Sequence, residues 1–551
     1  MSERAGEFDY IVVGGGSSGC VLASRLSADP TLKVLLLEAG GNDSHYVLRM
    51  PLAFLRAMFR ANFVWGYTSE PEPYADGRRL MLPRGRVLGG SGSINGMFYM
   101  RGHSLDFETW RRMGCEGWGY ADVLPYFKRM ETSWRGANKY HGDRGPLDVR
   151  PIDTSRLLHD PLMQTAVAAG FNTTEDIHGD VEEGFARGEV NIDSRGRRAS
   201  TSWAYLHPAM GRRNLTVQLN AQATRVLIEN GRAVGVEYLH RRERRQVRAE
   251  REVILCGGAY NSPQLLMLSG IGPAAQLRHH GIEPMVDLPG VGANLSEHPH
   301  IPVSFAASEP VTFLNELRFD RAVRSTLRWA ALGTGAFATQ INSCNVVVRT
   351  RPDLAQPDVQ LMCNPVRMDA KLWFPGVTST QEHLITADVV VLHQKSRGVV
   401  SLRSANPLDS PRVQLNIFQE PEDLATARRG IETARRIYRT PPQAALVARE
   451  VMPGAELRSD AQLDAYIRRT TGVTQHPVGT CSMGIGGDVV VDPQLRVRGI
   501  AGLRVADASI MPTVPGGNTN AACVMIAEKA SDMVLGKAPL PAEHVRPLPM
   551  R

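Results

Sequence analysis

The chain has 551 residues, 43% hydrophobic and 22% charged, with 52 glycines, which is length enough for two packed domains and leaves no low-complexity tract. Its formal charge of +7 is modest and scattered, which argues against nucleic acid as a partner. Seven cysteines, none spaced CxxC, argue against a disulfide framework or a zinc knuckle, so no metal is expected and a reducing cytoplasm suits the chain. A polar start and the lack of an apolar run near 20 residues predict a cytoplasmic protein with no spanning segment. A peripheral contact at the inner membrane through basic surface is left open.

In chain order, residues 8–13 (FDYIVV) read as a buried parallel strand. GGGSSG follows, residues 20–29 read as a helix, and a second apolar run, 33–37, ends at Glu38. Strand, glycine turn, helix, strand, acid is the dinucleotide-binding unit. Gly14 permits the turn, Gly16 lets backbone approach a pyrophosphate, and Gly19 lets helix pack on strand. Ser17 and Ser18 open the helix whose N-terminus faces the phosphates. Glu38 stands where a carboxylate accepts from a ribose hydroxyl.

Residues 85–102 (GRVLGGSGSINGMFYMRG) hold too many small residues for ordinary core. They read as backbone laid flat against a ligand, with Ile94, Met97 and Phe98 arguing for burial. Arg86, Gly90, Ser91, Asn95, Gly96 and Met97 are the candidate cofactor contacts there. Residues 215–237 predict strands joined by an Asn230-Gly231 hairpin turn. The basic run that follows, 240–251 (HRRERRQVRAER), reads as a solvated hairpin or strand edge. Residues 252–258 (EVILCGG) form another buried strand ending in glycines, Gly258 among them, and Ser262-Pro263 reads as a helix start. From about 300 to 470 the character changes, with strand-like runs at 345–348, 387–392 and 398–402 and a helical stretch near 421–439, the mark of a second domain. Near the end come a strand at 503–506, Asp507 and Ala508, the turn PGGNTN (515–520) and a last helix. The glycine turns are expected to gather at one edge of one sheet.

These stretches resemble the glucose–methanol–choline (GMC) oxidoreductases over nearly the whole chain, in the bacterial alcohol- and choline-dehydrogenase-like branch. The match is carried by GGGSSG with Glu38, by residues 85–102, by GGAYNSPQLLMLSGIG (257–272), and by LPGVGANLSEHP (288–299). HPVGTCSMG (476–484) and DASIMPTVPGGNTNAACVMIAEKA (507–530) complete it. The resemblance implies an α/β fold: a Rossmann-like FAD-binding domain (1–155, 205–300 and 475–551) with an inserted α+β substrate domain on an antiparallel sheet (156–204 and 301–474). It implies Glu38 on the adenosine ribose, Ala223 near the adenine, and the backbone from Ser91 to Met97 along the flavin. Asp507, Ala508, Thr519 and Asn520 fall toward the flavin end. Members that tether FAD carry a histidine where this chain has Ile94, so the FAD is expected to be non-covalent.

Alcohol oxidation requires a hydroxyl proton to leave while hydride moves to flavin N5, and a base in hydrogen-bond reach speeds the step. His476 is the expected base; with an ordinary pKa of about 6.5 it would make the rate rise with pH through neutrality. Asn520 is its expected partner, able to fix the alcohol oxygen but not to take a proton. Asn518 reads as a turn former, His298 and His300 as structural, His279 and His280 as a helix end, and Cys481 as a core thiol. No other charge flanks His476 in sequence, which points to a neutral primary alcohol. Oxygen, a quinone or a carrier protein is the electron acceptor. The alternative is a hydroxynitrile-lyase-like enzyme that keeps FAD without net redox.

Overall fold

Apolar runs that stay apolar on both sides make strands buried on both faces, and the first sheet is built from them. The computed structural model describes residues 5–378 and 381–545. In it, strand Ala5–Val13 lies between Val34–Leu37 and the end of Glu243–Leu255, parallel to both. Leu215–Gln218 extends the sheet beyond Val34–Leu37, and Leu503–Val505 pairs with Val253 to Leu255, again in parallel. Ala221–Glu229 and Arg232–His240 complete it as an antiparallel meander on Glu243–Leu255.

The meander turns where expected. Asn230 and Gly231 have φ of 50° and 73°, the double left-handed geometry of a type I′ hairpin. The basic run is a second hairpin, turning at exposed Arg241 and Arg242. Helix Ser17–Leu26 packs against strand Ala5–Val13 and helix Asn520–Val534. A Cβ on Gly19 would meet the Gly14 carbonyl oxygen at 1.9 Å, so only glycine allows this approach.

The second sheet is antiparallel. Its order is Val447–Met452, Ser304–Ala307, Leu384–Val391, Val359–Asn364, Cys344–Val348 and Gly184–Ala186. Strand Pro299–Ile301 pairs with Leu384–Val391 on one side and Gly472–Val473 on the other. The helix expected near 421–439 is Pro421–Tyr438, lying on this sheet. A Cβ on its Gly430 would stand 2.4 Å from Val389 Cγ1, so helix and sheet touch as closely as glycine permits. The fold is therefore α/β, with an antiparallel α+β unit inserted in a dinucleotide-binding frame.

The strand-like run at 398–402 is strand Val399–Ser401, paired with Arg412–Gln414 in a ribbon separate from the large sheet. One local expectation is corrected. The helix expected to start at Ser262-Pro263 starts four residues earlier and spans Gly258–Leu268, with Pro263 inside it. Asp507 is the cause: its carboxylate accepts from the Gly258 N–H at 2.8 Å and the Ser262 hydroxyl at 2.6 Å, an acid placed at a helix N-terminus. Proline has no N–H to give the Ala259 carbonyl, and the Thr480 hydroxyl donates to it instead at 2.6 Å.

Candidate active site

A cavity of about 490 Å³ opens where the parallel strands end, and the antiparallel sheet closes it with His300, Met362 and Asp388. Its floor is the glycine turn. Gly14 has φ of 105°, and a Cβ on Gly16 would find its nearest neighbour only at 3.9 Å, so backbone faces open space there. Helices Ser17–Leu26 and Asn520–Val534 both begin at this wall, and neither has a side-chain cap on its first N–H groups. Ser17 Oγ donates to Asn520 Oδ1 at 2.7 Å and ties the two N-termini together. Two uncapped helix starts side by side suit a pyrophosphate.

Glu38 is buried with both oxygens in use. It accepts from the Gly15 N–H at 2.8 Å and the Gly40 N–H at 2.7 Å. Burial pushes its pKa up to about 7, against the opposing pull of the two N–H groups and of Arg86. Gly90, with φ of 54°, brings the second glycine-rich stretch so close that a Cβ would lie 2.7 Å from Gly16 Cα. Ile94 stands in the cavity wall and offers no atom for a covalent tether. These residues fit FAD held without a bond.

His476 sits at the other end, with a relative exposure of 9%. Gln475 before it takes a left-handed φ of 70°, a strained setting for a residue with a side chain. Arg84 Nη2 holds it there by donating to both the Gln475 carbonyl and Oε1 at 2.9 Å. Glu297 Oε1 accepts the His476 N–H at 2.6 Å and the His298 N–H at 3.0 Å. On the ring, Nε2 lies 3.1 Å from Asn518 Nδ2, while Nδ1 lies 2.9 Å from Thr474 Oγ1 and 3.1 Å from His298 Nδ1. An amide N–H on Nε2 makes that nitrogen the acceptor and leaves the ring proton on Nδ1. Burial, aided by the charge of Arg84, lowers the His476 pKa to about 3. Burial raises that of Glu297 to about 7.

Of the residues singled out in the sequence, Gly14, Gly16, Ser17, Ser18 and Glu38 line the cavity. So do Gly90, Ser91, Asn95, Gly96 and Met97 from the second stretch, and Ala223, Gly258, Asp507, Ala508, Thr519, Asn520 and His476. Gly19 lies beneath the floor, where it makes room for the helix. Arg86 is not itself in the wall but stacks on Trp65 at 4.7 Å and donates to Gln222 at 3.3 Å, both of which are; Arg84 lines the cavity directly. The pairing of His476 with Asn520 is corrected: Asn518 meets the imidazole, and Asn520 is engaged with Ser17. Asn518 Oδ1 is buried with no protein partner, so the amide presents a free polar atom beside the imidazole. His298, read as structural, packs directly on His476. The expectation of a neutral-range base also changes, because the His476 imidazole is uncharged throughout the physiological range. Cys481 is a buried thiol as expected. No metal-binding cluster occurs among the described residues, nor is any helix there long and apolar enough to cross a membrane.

Two family models described as GMC oxidoreductase match residues 8–300 and 394–527. The "Oxygen-dependent choline dehydrogenase" of Brucella ovis is 40% identical over 543 residues, covering 98% of each chain. The mitochondrial choline dehydrogenase of Mus musculus is 41% identical, covering 98% of this chain and 91% of its own. Among solved structures, pyridoxine 4-oxidase from Mesorbium loti superposes with a TM-score of 0.86 at 30% identity, over 96% of this chain and all of its own.

Proposed function

This chain belongs to the GMC oxidoreductase family and is an FAD-dependent enzyme acting on CH–OH groups; on that premise we propose that it oxidises a neutral primary alcohol to the aldehyde, with His476 taking the hydroxyl proton and Asn518 holding the oxygen. FAD in the cradle supplies the hydride acceptor. The observation that carries the reading is the 3.1 Å approach of Asn518 Nδ2 to His476 Nε2 inside the cavity. An alcohol oxygen that displaces this contact donates its proton to Nε2 and accepts from the freed amide N–H. Nδ1–H is already committed to Thr474, whose hydroxyl hydrogen points to the His298 carbonyl, so the tautomer is fixed before substrate arrives. A base of low pKa is poor at holding a proton. Glu297, one backbone hydrogen bond away, stabilises the imidazolium once its own carboxyl is ionised.

Phe54, Leu55, Met58, Phe98, Met362 and Met368 line the cavity, an apolar wall that suits a neutral tail. Asp388 is the nearby carboxylate, but it already accepts from the Val303 N–H at 3.1 Å and faces His300 Nε2 at 3.3 Å. A second reading, a cationic alcohol such as choline, is supported by the relatives' activity and by Asp388. Anaerobic mixing with an alcohol panel separates the two. Flavin bleaching that improves with chain length supports the neutral substrate, and choline as the best reductant replaces it with the second reading. Reoxidation by air or by a quinone analogue then tells oxygen from quinone, and failure of both points to a carrier protein. The lyase alternative is not favoured, since the relatives are dehydrogenases and an oxidase.

A further inference from the structure

Helix Phe319–Leu332 is anchored on one side only. Ala322, Ser325 and Trp329 are buried, and Trp329 Nε1 donates to the Gly196 carbonyl at 2.8 Å. That fixes the rotation of the helix and turns Phe319, Val323 and Leu327 outward, with relative exposures of 44%, 41% and 64%. Their spacing of four residues sets them in one line along the helix. Leu332, 70% exposed, continues the apolar surface past the end. A second segment broadens it: Phe374 stacks on Phe319 with ring centroids 4.5 Å apart, and Val377 beyond it is 82% exposed. An apolar face of this extent is unusual on a protein that meets only water.

The charges beside the line are mostly positive: Arg324 and Arg328 are exposed, while Arg321 is half-buried with Glu316 at 3.9 Å and exposed Asp320 is paired with Arg318. A second copy would bring the same excess of positive charge to this face. A surface of anionic lipid accepts both features, the apolar line in the acyl boundary and the guanidinium groups among the headgroups. The face lies near the cavity along the chain: Met368 is in the cavity wall, and exposed Phe374 is six residues later.

We propose that Phe319, Val323, Leu327 and Phe374, with Arg324 and Arg328, form a docking face for an anionic membrane surface. The proposal is independent of which alcohol is oxidised. The test is co-sedimentation of the FAD-loaded full-length protein with vesicles of phosphatidylcholine, alone or mixed with phosphatidylglycerol. Binding should require the anionic lipid and should weaken in high salt. Val323→Ser with Leu327→Ser should weaken it about tenfold or more, because apolar side chains no longer enter the boundary. Arg324→Glu should weaken it independently. Flavin reduction by alcohol in solution should be unchanged in both variants, which separates loss of docking from loss of fold or of activity. The proposal is overturned if the protein ignores both kinds of vesicle, or if the variants sediment as the parent does. It is equally overturned if the parent is a dimer that Leu327→Ser dissociates, since the face would then belong to a second copy.

Discussion

Gln475 is held in a left-handed conformation by one guanidinium, and the position of the base depends on that hold. Arg84→Ala removes both contacts to Gln475, so flavin reduction should slow by at least tenfold while FAD content stays near that of the parent. Stopped-flow absorbance checks the first and a flavin-to-protein ratio the second. Glu297 gives a pH signature. Burial raises its pKa to about 7, so it is neutral below that pH and a carboxylate above it. His476, lowered to about 3, does not titrate in the working range. The rate of flavin reduction should therefore rise as pH passes about 7, and in Glu297→Gln the rise should vanish. A rise that persists in that variant assigns the titration elsewhere. At this scale the sequence was informative for single residues and silent on partners. HPVGTCSMG points to His476, but Asn518 and Asn520 stand two apart in one turn, and only the backbone path decides which amide meets the imidazole. Glu297 and His298, distant in sequence from His476, become its neighbours because strand Pro299–Ile301 runs beside Gly472–Val473.

Helix starts carry the cofactor end of the site, and here glycine and the acids were legible while proline misled. Glu38 is singled out by its distance from the glycine turn, and the structure puts it in the cavity wall accepting from the Gly15 and Gly40 N–H groups. Glu38→Ala should leave both N–H groups without their acceptor at a cost of roughly 1.5–3 kcal/mol. The protein should emerge partly apo, and full FAD occupancy after long dialysis would count against the assignment. Pro263 reads as a helix start by its usual position, but a long-range contact overrides that signal: Asp507 starts the helix at Gly258, and Thr480 satisfies the carbonyl that proline abandons. Thr480→Val keeps the shape and removes that donor. It should lower stability by about 1–3 kcal/mol, the cost of a buried acceptor left unpaired, read as a lower melting temperature with FAD still bound.

At the scale of the whole molecule, the apolar strand runs made the parallel sheet legible, because burial on both faces leaves no alternation to misread. The edge ribbon Val399–Ser401 was not separable from the large sheet by sequence, since pairing partners are tertiary facts. We propose the division of the chain into 1–155, 205–300 and 475–551 against 156–204 and 301–474, the first carrying the parallel sheet and the second most of the antiparallel one, whose strand Pro299–Ile301 straddles the boundary. The cavity lies between them, with the cofactor cradle on the first and the apolar wall reaching the second. FAD held only by this packing should leave on acid denaturation and appear in the supernatant; flavin that stays with the pellet would contradict the non-covalent cradle. The central claim, that His476 receives the alcohol proton in this cavity, is tested most directly by anaerobic stopped-flow reduction of the bound flavin in the parent and in His476→Ala, with a primary alcohol that bleaches the parent. The account predicts reduction slower by roughly 10²–10⁴-fold, the range for losing a positioned acid–base group, at unchanged FAD content; a His476→Ala protein that keeps its FAD and is reduced at the parent's rate would contradict it.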